Sequence, residues 1–291
     1  MDWSPDSALT RRMALALLLT LLGYVVLLGP VVWLLPWEAA LVVVGIVVAV
    51  VGTLALQADR LAYLVTRAVA IDREDHPDLF ETVDRLANQA GVPRPPIAVV
   101  PTDEPNALSA GTGNRTVLCV TLGLLKELDD DELEAVLAHE LAHLKNGDSS
   151  VLTVAGFPAT VALGALGAAL ENVDGKALIL GYLGVAMALA LVSFLLALVT
   201  LPGTLVLSRY REYAADRGAA AITGDPAALA GALERIHGAS APPETDMRLS
   251  AGFNAFCIVP AGYGSLPVPW THPPTRERIR RLRELAAEME S

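Results

Sequence analysis

Four long apolar stretches divide the chain into membrane-like and soluble parts. They cover residues 13–35, 39–57, 151–170 and 177–207. Each is long enough to cross a hydrocarbon core of about 30 Å as a helix. Because a short polar turn separates the members of each pair, we predict two transmembrane hairpins, within residues 1–57 and 151–207. We expect Pro202-Gly203 to weaken or end the fourth helix early.

Basic residues lie on one side of these predicted spans. Arg11 and Arg12 precede the first span, and Arg209 and Arg211 follow the fourth. The two turns on the opposite side hold one lysine and no arginine. By the positive-inside rule, both termini and the soluble parts face the cytoplasm, which predicts a multi-pass protein of the cell membrane.

The soluble part comprises residues 58–150 and 208–291, separated by the second hairpin. Its hydrophobic periodicity predicts helices at 76–90, 209–221, 225–237 and 273–289, and strands at 96–100 and 115–121. Asp129, Asp130 and Asp131 supply a cap and a favourable charge for a further helix that follows them. The predicted class is α+β, mostly helical, with a small sheet.

That further helix carries His139-Glu140-Leu141-Ala142-His143, the pattern H-E-x-x-H. Two histidines at this spacing project from one helical face and can reach one metal ion at about 2.0–2.1 Å. Glu140 is placed to take a proton from the attacking water. The alternative is a surface helix that carries two histidines by chance.

A catalytic zinc ion needs a third protein ligand and an open position. Glu212 and Asp216 are four residues apart on the helix predicted after the fourth span. Like charges at this spacing destabilise a bare helix. The conflict disappears if Glu212 binds the metal and Asp216 accepts a hydrogen bond from a ligand histidine. Alternatively, the segment is a charged surface balanced by Arg209, Arg211 and Arg217.

These motifs resemble those of the HtpX family of membrane zinc metalloproteases. The resemblance rests on H-E-L-A-H at 139–143, E-Y-A-A-D at 212–216 and the hydrophobic hairpin between them, and it extends over essentially the whole chain. It implies a thermolysin-like (gluzincin) domain with one zinc ion per subunit on His139, His143 and Glu212, and with Glu140 catalytic. It also implies a cytoplasm-facing protease that acts on damaged or misfolded membrane proteins and unfolded polypeptides during stress.

Residues 106–111, N-A-L-S-A-G, resemble a family segment that forms an edge strand beside the cleft. Asn106, Ala107, Leu108 and Ser109 would then pair with an extended substrate. The alternative is a plain turn and strand.

His272, in the family-like segment T-H-P-P-T at 271–275, would donate a hydrogen bond to the oxyanion of the tetrahedral intermediate. The alternative is that His272 has no catalytic role and only caps or anchors the last helix. We expect His76 and His237 to be structural or exposed.

The composition excludes other classes of function. A net charge of −11 and only three lysines leave no basic patch for nucleic acid. This acidic, lysine-poor composition resembles proteins of salt-loving archaea. Two cysteines, Cys119 and Cys257, provide no disulfide framework and are expected to be small buried residues.

Two other functions share parts of the pattern. A prenyl endopeptidase of the CAAX type also uses H-E-x-x-H, but this chain has too few predicted spans for that larger membrane chamber. A non-catalytic membrane scaffold with a structural zinc would need a fourth ligand, and both cysteines lie outside the zinc motifs. Two histidines and a glutamate favour zinc over cobalt or manganese. The sequence leaves the oligomeric state open.

Overall fold

The computed structural model describes residues 7–147, 182–239 and 273–290, together with residues 151 and 154. The helices are α1 (Ser7–Leu34), α2 (Trp37–Leu56), α3 (Ala58–Thr66), α4 (Pro77–Ala90), α5 (Leu122–Glu127), α6 (Asp130–Asn146), α7 (Tyr182–Thr223), α8 (Pro226–Ala239) and α9 (Thr275–Glu290). The strands are β1 (Val69–Ala70), β2 (Ile97–Val100), β3 (Ala107–Thr112) and β4 (Arg115–Thr121). The predicted class, mostly helical with a small sheet, is confirmed.

The strands form one sheet in the order β1-β2-β4-β3. β2 and β4 run parallel, with Ile97 opposite Leu118, while β1 pairs with β2 and β3 pairs with β4 in antiparallel fashion. The two predicted strands correspond to β2 and β4, whereas the two-residue β1 escaped prediction because it is too short for a periodic pattern. β3 therefore lies at one end of the sheet order.

The sheet separates two apolar cores because alternate residues of each strand face opposite sides. Leu118 and Val120 of β4 face a large core formed with α4, α6, α8 and α9. Val117 and Cys119 face a smaller core, to which α1, α3 and α7 contribute Ala16, Ala62, Leu207 and Ala214. The sheet is thus buried on both sides, and its second side is covered in part by the apolar helices.

Helix α7 continues through Pro202, so the expectation that the helix ends early there is wrong. Its bounds, Tyr182–Thr223, join the predicted fourth span to the predicted helix at 209–221. Gly203 lets α1 approach closely, since a β-carbon there would lie 2.8 Å from Cδ1 of Leu19. Close packing against α1 stabilises α7 despite the proline. The free energy gained from this packing exceeds the cost of the one backbone hydrogen bond that proline removes.

Only part of the predicted membrane topology falls within the described residues. There, the stretch Thr10–Leu34 of α1 is long and apolar enough to cross a membrane. α2 and α3 would form a second span if counted together, although they are bent by 65°. The predicted third span at 151–170 lies outside the described residues, apart from residues 151 and 154. The arrangement of four spans stays a prediction.

The turn between β3 and β4 requires glycine at position 111. Gly111 has a φ of 100°, and a β-carbon there would lie 1.9 Å from the backbone oxygen of Arg115. We expect Gly111→Ala to lower the free energy of unfolding by about 3 kcal/mol, because the strain and the backbone clash coincide. Thermal unfolding in detergent measures this. Gly113→Ala, at a φ of 59° with open space around it, should cost only about 1–2 kcal/mol; equal effects would contradict this explanation.

Candidate metal centre

Helix α6 carries the H-E-x-x-H motif and starts with a capping box. The Asp129 carboxylate accepts a hydrogen bond from the backbone N–H of Glu132, and the Glu132 carboxylate accepts one from the N–H of Asp129. The predicted cap is thereby confirmed. Every residue of α6 from Ala135 to His143 is buried. The motif therefore lies in the interior, which contradicts the alternative of a surface helix with two chance histidines.

The structure brings together the three residues predicted as metal ligands. The Nε2 atoms of His139 and His143 lie 3.2 Å apart. Oε2 of Glu212 lies 3.6 Å from Nε2 of His139, and Oε1 lies 3.6 Å from Nε2 of His143. One ligand atom from each residue lies within 4.8 Å of the others, and all three side chains are buried. Glu212 reaches this position because α7 packs along α6.

The spacing of these atoms fits a small tetrahedral metal ion. Ligand atoms about 2.0–2.1 Å from such an ion lie about 3.3–3.4 Å from one another. The observed separations of 3.2 Å and 3.6 Å bracket this value. Two imidazoles and one carboxylate form the donor set typical of catalytic zinc. The residues present therefore fit the metal that the motif implies.

Glu140 lies on the same turn as the histidines and is buried. Within the described part of the chain, its Oε2 atom has no hydrogen-bond partner. Its backbone carbonyl accepts a hydrogen bond of 3.0 Å from Oγ of Ser109 on β3. The strand thus fixes the backbone at Glu140, while the carboxylate keeps an oxygen able to accept a proton.

The carboxylate of Asp216 contacts the side of the His139 ring that faces away from His143. Its Oδ1 atom is 3.1 Å from Nδ1 of His139, short enough for a hydrogen bond, although the ring N–H points away from the ideal line. This contact would keep the proton on Nδ1 and leave Nε2 for a metal.

The electrostatics of this pair favour charge on both partners. Burial opposes protonation of His139, but the nearby carboxylates of Asp216 and Glu212 outweigh it and raise the pKa of His139 to about 9. Burial also favours the neutral form of Asp216, but the charge of Arg278 and the hydrogen bond with His139 lower the pKa of that carboxyl. A proton and a metal ion therefore compete for the site.

Sequence reasoning missed two buried arginines at this centre. Nη2 of Arg211 lies 2.9 Å from Oε1 of Glu212, and Nη1 of Arg278 lies 3.2 Å from Oε2 of the same carboxylate. Arg211 was interpreted as a basic residue that follows the fourth span and, alternatively, as part of a charged surface; its burial contradicts the surface position. A signal existed for Arg278, since it precedes Ile279 and is four residues before Leu282 on the face predicted to point inward.

The predicted substrate strand corresponds to β3. Asn106 precedes the strand, where its backbone N–H donates to Oγ1 of Thr121, and Ala107, Leu108 and Ser109 belong to it. All three strand residues are buried. Their pairing with a substrate stays a prediction.

The remaining predictions concern single residues. His76 occupies the N-cap position of α4 and is partly buried, and His237 lies in the last turn of α8 and is exposed. Cys119 is buried in β4, as expected. His272 and Cys257 lie outside the described residues.

A family model for peptidase family M48 matches residues 73–286, which include every residue of this centre. The chain belongs to peptidase family M48. This M48 member is therefore a metallopeptidase. A protease HtpX homolog of Moorella thermoacetica is 39% identical over 302 residues, covering 98% of this chain and 97% of the relative.

Two further relatives align over nearly their full lengths. Protease HtpX homolog 1 of Streptomyces coelicolor is 38% identical, covering 98% of this chain and 95% of the relative. Protease HtpX homolog 2 of Methanosarcina acetivorans is 38% identical, covering 99% of this chain and 98% of the relative. The resemblance to HtpX proteases predicted from the motifs is confirmed for this M48 peptidase.

Glu212 and Asp216 should differ in their effect on metal binding. Glu212→Gln removes a charged ligand, so we expect it to abolish stoichiometric zinc binding. Asp216→Asn leaves the three ligands in place and should weaken binding by about 10–100-fold. Competition against a chromophoric chelator measures both. Equal zinc affinities in the two variants would contradict the separate roles assigned to these carboxylates.

Proposed function

We propose that this peptidase is a zinc-dependent endopeptidase that cleaves damaged or misfolded membrane proteins at their cytoplasmic segments. The observation that carries the proposal is the buried group of His139, His143 and Glu212 with Glu140 beside it. A scaffold with a closed structural site would need a fourth protein ligand. Among the described residues, Cys119 lies in β4 on the opposite face of the sheet from the α6 core.

Peptide hydrolysis requires activation of water and protonation of the leaving amine. A zinc ion held by His139, His143 and Glu212 would act as a Lewis acid, polarising the scissile carbonyl and lowering the pKa of a water molecule. Glu140 accepts the proton of the attacking water on its carboxylate and delivers it to the nitrogen of the leaving amine. Asp216 holds the tautomer of His139, and Ser109 holds the backbone of Glu140. His272 is a candidate donor to the oxyanion.

An extended substrate would pair with the outer edge of β3. The strand ends the sheet order and is joined to α6 through the bond from Ser109 to Glu140. A peptide bound along this edge would therefore run past the carboxylate of Glu140. Backbone pairing of this kind accepts many sequences, which suits a quality-control protease acting on unfolded chains during stress.

The position of the centre relative to the apolar helices supports membrane substrates. Glu212 lies five residues after Leu207, which packs with Ala16 of α1 in the second core. One α-helix thus joins the apolar segment to the metal centre, and five residues correspond to about 7.5 Å of helix. With four spans and the basic residues inside, the centre would lie at the cytoplasmic membrane surface.

The catalytic role of Glu140 has a direct test. We expect Glu140→Gln to bind zinc like the parent protein and to lose cleavage of casein or a membrane substrate, because the amide cannot accept the proton. Glu134→Gln on the same helix is the matched control, since Glu134 is only partly buried and pairs with Arg85. Its activity should stay near the parent level. Retained cleavage by Glu140→Gln would rule out the proposed mechanism.

The substrate class is tested in membranes. Comparative proteomics of membranes carrying the active enzyme or Glu140→Gln should show new peptide termini in cytoplasmic segments of membrane proteins, for the active enzyme only. Chelator treatment should abolish the cleavage, and zinc should restore it. New termini confined to soluble proteins would contradict the proposed substrate class while leaving the peptidase activity intact.

A further inference from the structure

Arg278 of α9 places a buried guanidinium against the metal centre. Only 2% of the residue is exposed. Its Nη2 and Nε atoms lie 2.6 Å and 3.0 Å from the two oxygens of the Asp216 carboxylate. This is the two-pronged pairing for which the planar guanidinium is suited, and it fixes the orientation of the carboxylate as well as its charge.

The same guanidinium contacts two of the proposed metal ligands. Nη1 lies 3.2 Å from Oε2 of Glu212, and Nη2 lies 3.4 Å from Nε2 of His139. Arg278 therefore bridges the acidic pair on α7 that sequence reasoning had connected only through the metal. Because its nitrogen atoms are directed at Asp216 and Glu212, Arg278 is positioned to hold side chains of the centre in place.

Charge balance gives a reason for this arrangement. Glu140, Glu212 and Asp216 are all buried, and Arg211 and Arg278 are the buried arginines among the described residues. A buried carboxylate is strongly unfavourable without an opposite charge or hydrogen bonds. Glu212 and Asp216 also repel each other, so without a cation between them their side chains would move apart or take up protons.

We propose that Arg278 is the positioning residue of the metal centre, holding Asp216 against His139 and Glu212 in its ligating orientation, and thereby setting the affinity for the metal. The inference rests on the proposed metal site. Through Arg278, helix α9 becomes part of the metal site. Ile279 and Leu282 anchor this helix in the large core, and the guanidinium of Arg281 lies over the ring of Tyr213. The centre is complete only when helices α6, α7 and α9 have come together.

Zinc affinity of the purified full chain in detergent tests the proposal without any substrate. We expect Arg278→Gln to weaken zinc binding by about 10–100-fold in chelator competition, as for other residues that orient metal ligands. Arg278→Lys keeps the charge, but an ammonium group lacks the planar fork that holds two carboxylates. The zinc affinity of this variant should therefore lie between those of the parent and Arg278→Gln. Arg283→Gln is the control, since Arg283 is exposed on the same helix and pairs with Glu234.

Two further measurements separate positioning from general stability. The visible absorption of the cobalt-substituted protein reports the geometry at the metal, and it should change in Arg278→Gln but not in Arg283→Gln. Because Arg278 acts partly through Asp216 and partly on Glu212, the combined variant with Asp216→Asn should lose less zinc affinity than the product of the two single losses. Multiplicative losses would show that Arg278 acts independently of Asp216, contrary to the proposal.

The outcomes distinguish this inference from the proposed function. Parent-like zinc affinity and cobalt spectrum in Arg278→Gln would overturn the inference, and so would a lowered melting temperature or raised KM as the only change. Should Arg278→Gln not fold, parent-like affinity in Arg278→Lys would overturn it equally. If the parent chain itself bound no zinc, the proposed metal site would fail first. If it bound zinc in an Arg278-dependent way but cleaved nothing, only the proposed activity would fail.

Discussion

The structure depends on the burial of a charged cluster between three helices. Glu140 on α6 and Glu212 and Asp216 on α7 are carboxylates inside the protein, and Arg278 on α9 brings a positive charge to the α7 pair. A buried charge is tolerated only when its partners are close and well oriented. This requirement ties together segments that lie more than 60 residues apart, and it holds the predicted ligand atoms within reach of one ion.

Helix α7 links this charged cluster to the apolar helix α1. Its first part is apolar, its last part holds Glu212 and Asp216, and Pro202 does not interrupt it. α1 packs closely at Gly203, and Ala16 and Leu207 join the core under the sheet. The position of the third ligand is therefore fixed by two surfaces: α6 on one side, and α1 with the sheet on the other. Packing between α1 and α7 thus contributes to the geometry of a buried metal centre.

Most of the local structure followed from sequence. The capping box at Asp129 and the two longer strands appeared where short-range patterns place them. The two acidic residues of α7 were predicted to share one helical face, because residues four apart do so in any α-helix. Local signals failed where neighbours decide the outcome. Pro202 predicts a helix break, but the helix continues where α1 packs closely at the adjacent Gly203. β1 is a strand only because β2 pairs with it.

The sequence by itself determined the chemical groups available: H-E-x-x-H fixes two imidazoles and a carboxylate on one turn, and E-x-x-x-D places two further carboxylates on one helical face. These are relations between residues on one helix, where a spacing of four is already a distance in space. Only the tertiary structure decided that the two helices meet, and that Arg278, which is distant in sequence, joins Arg211 beside the carboxylate of Glu212. From sequence, a charged residue on an amphipathic helix is expected to face solvent. Whether it is buried depends on how that helix packs against others, which local sequence does not specify.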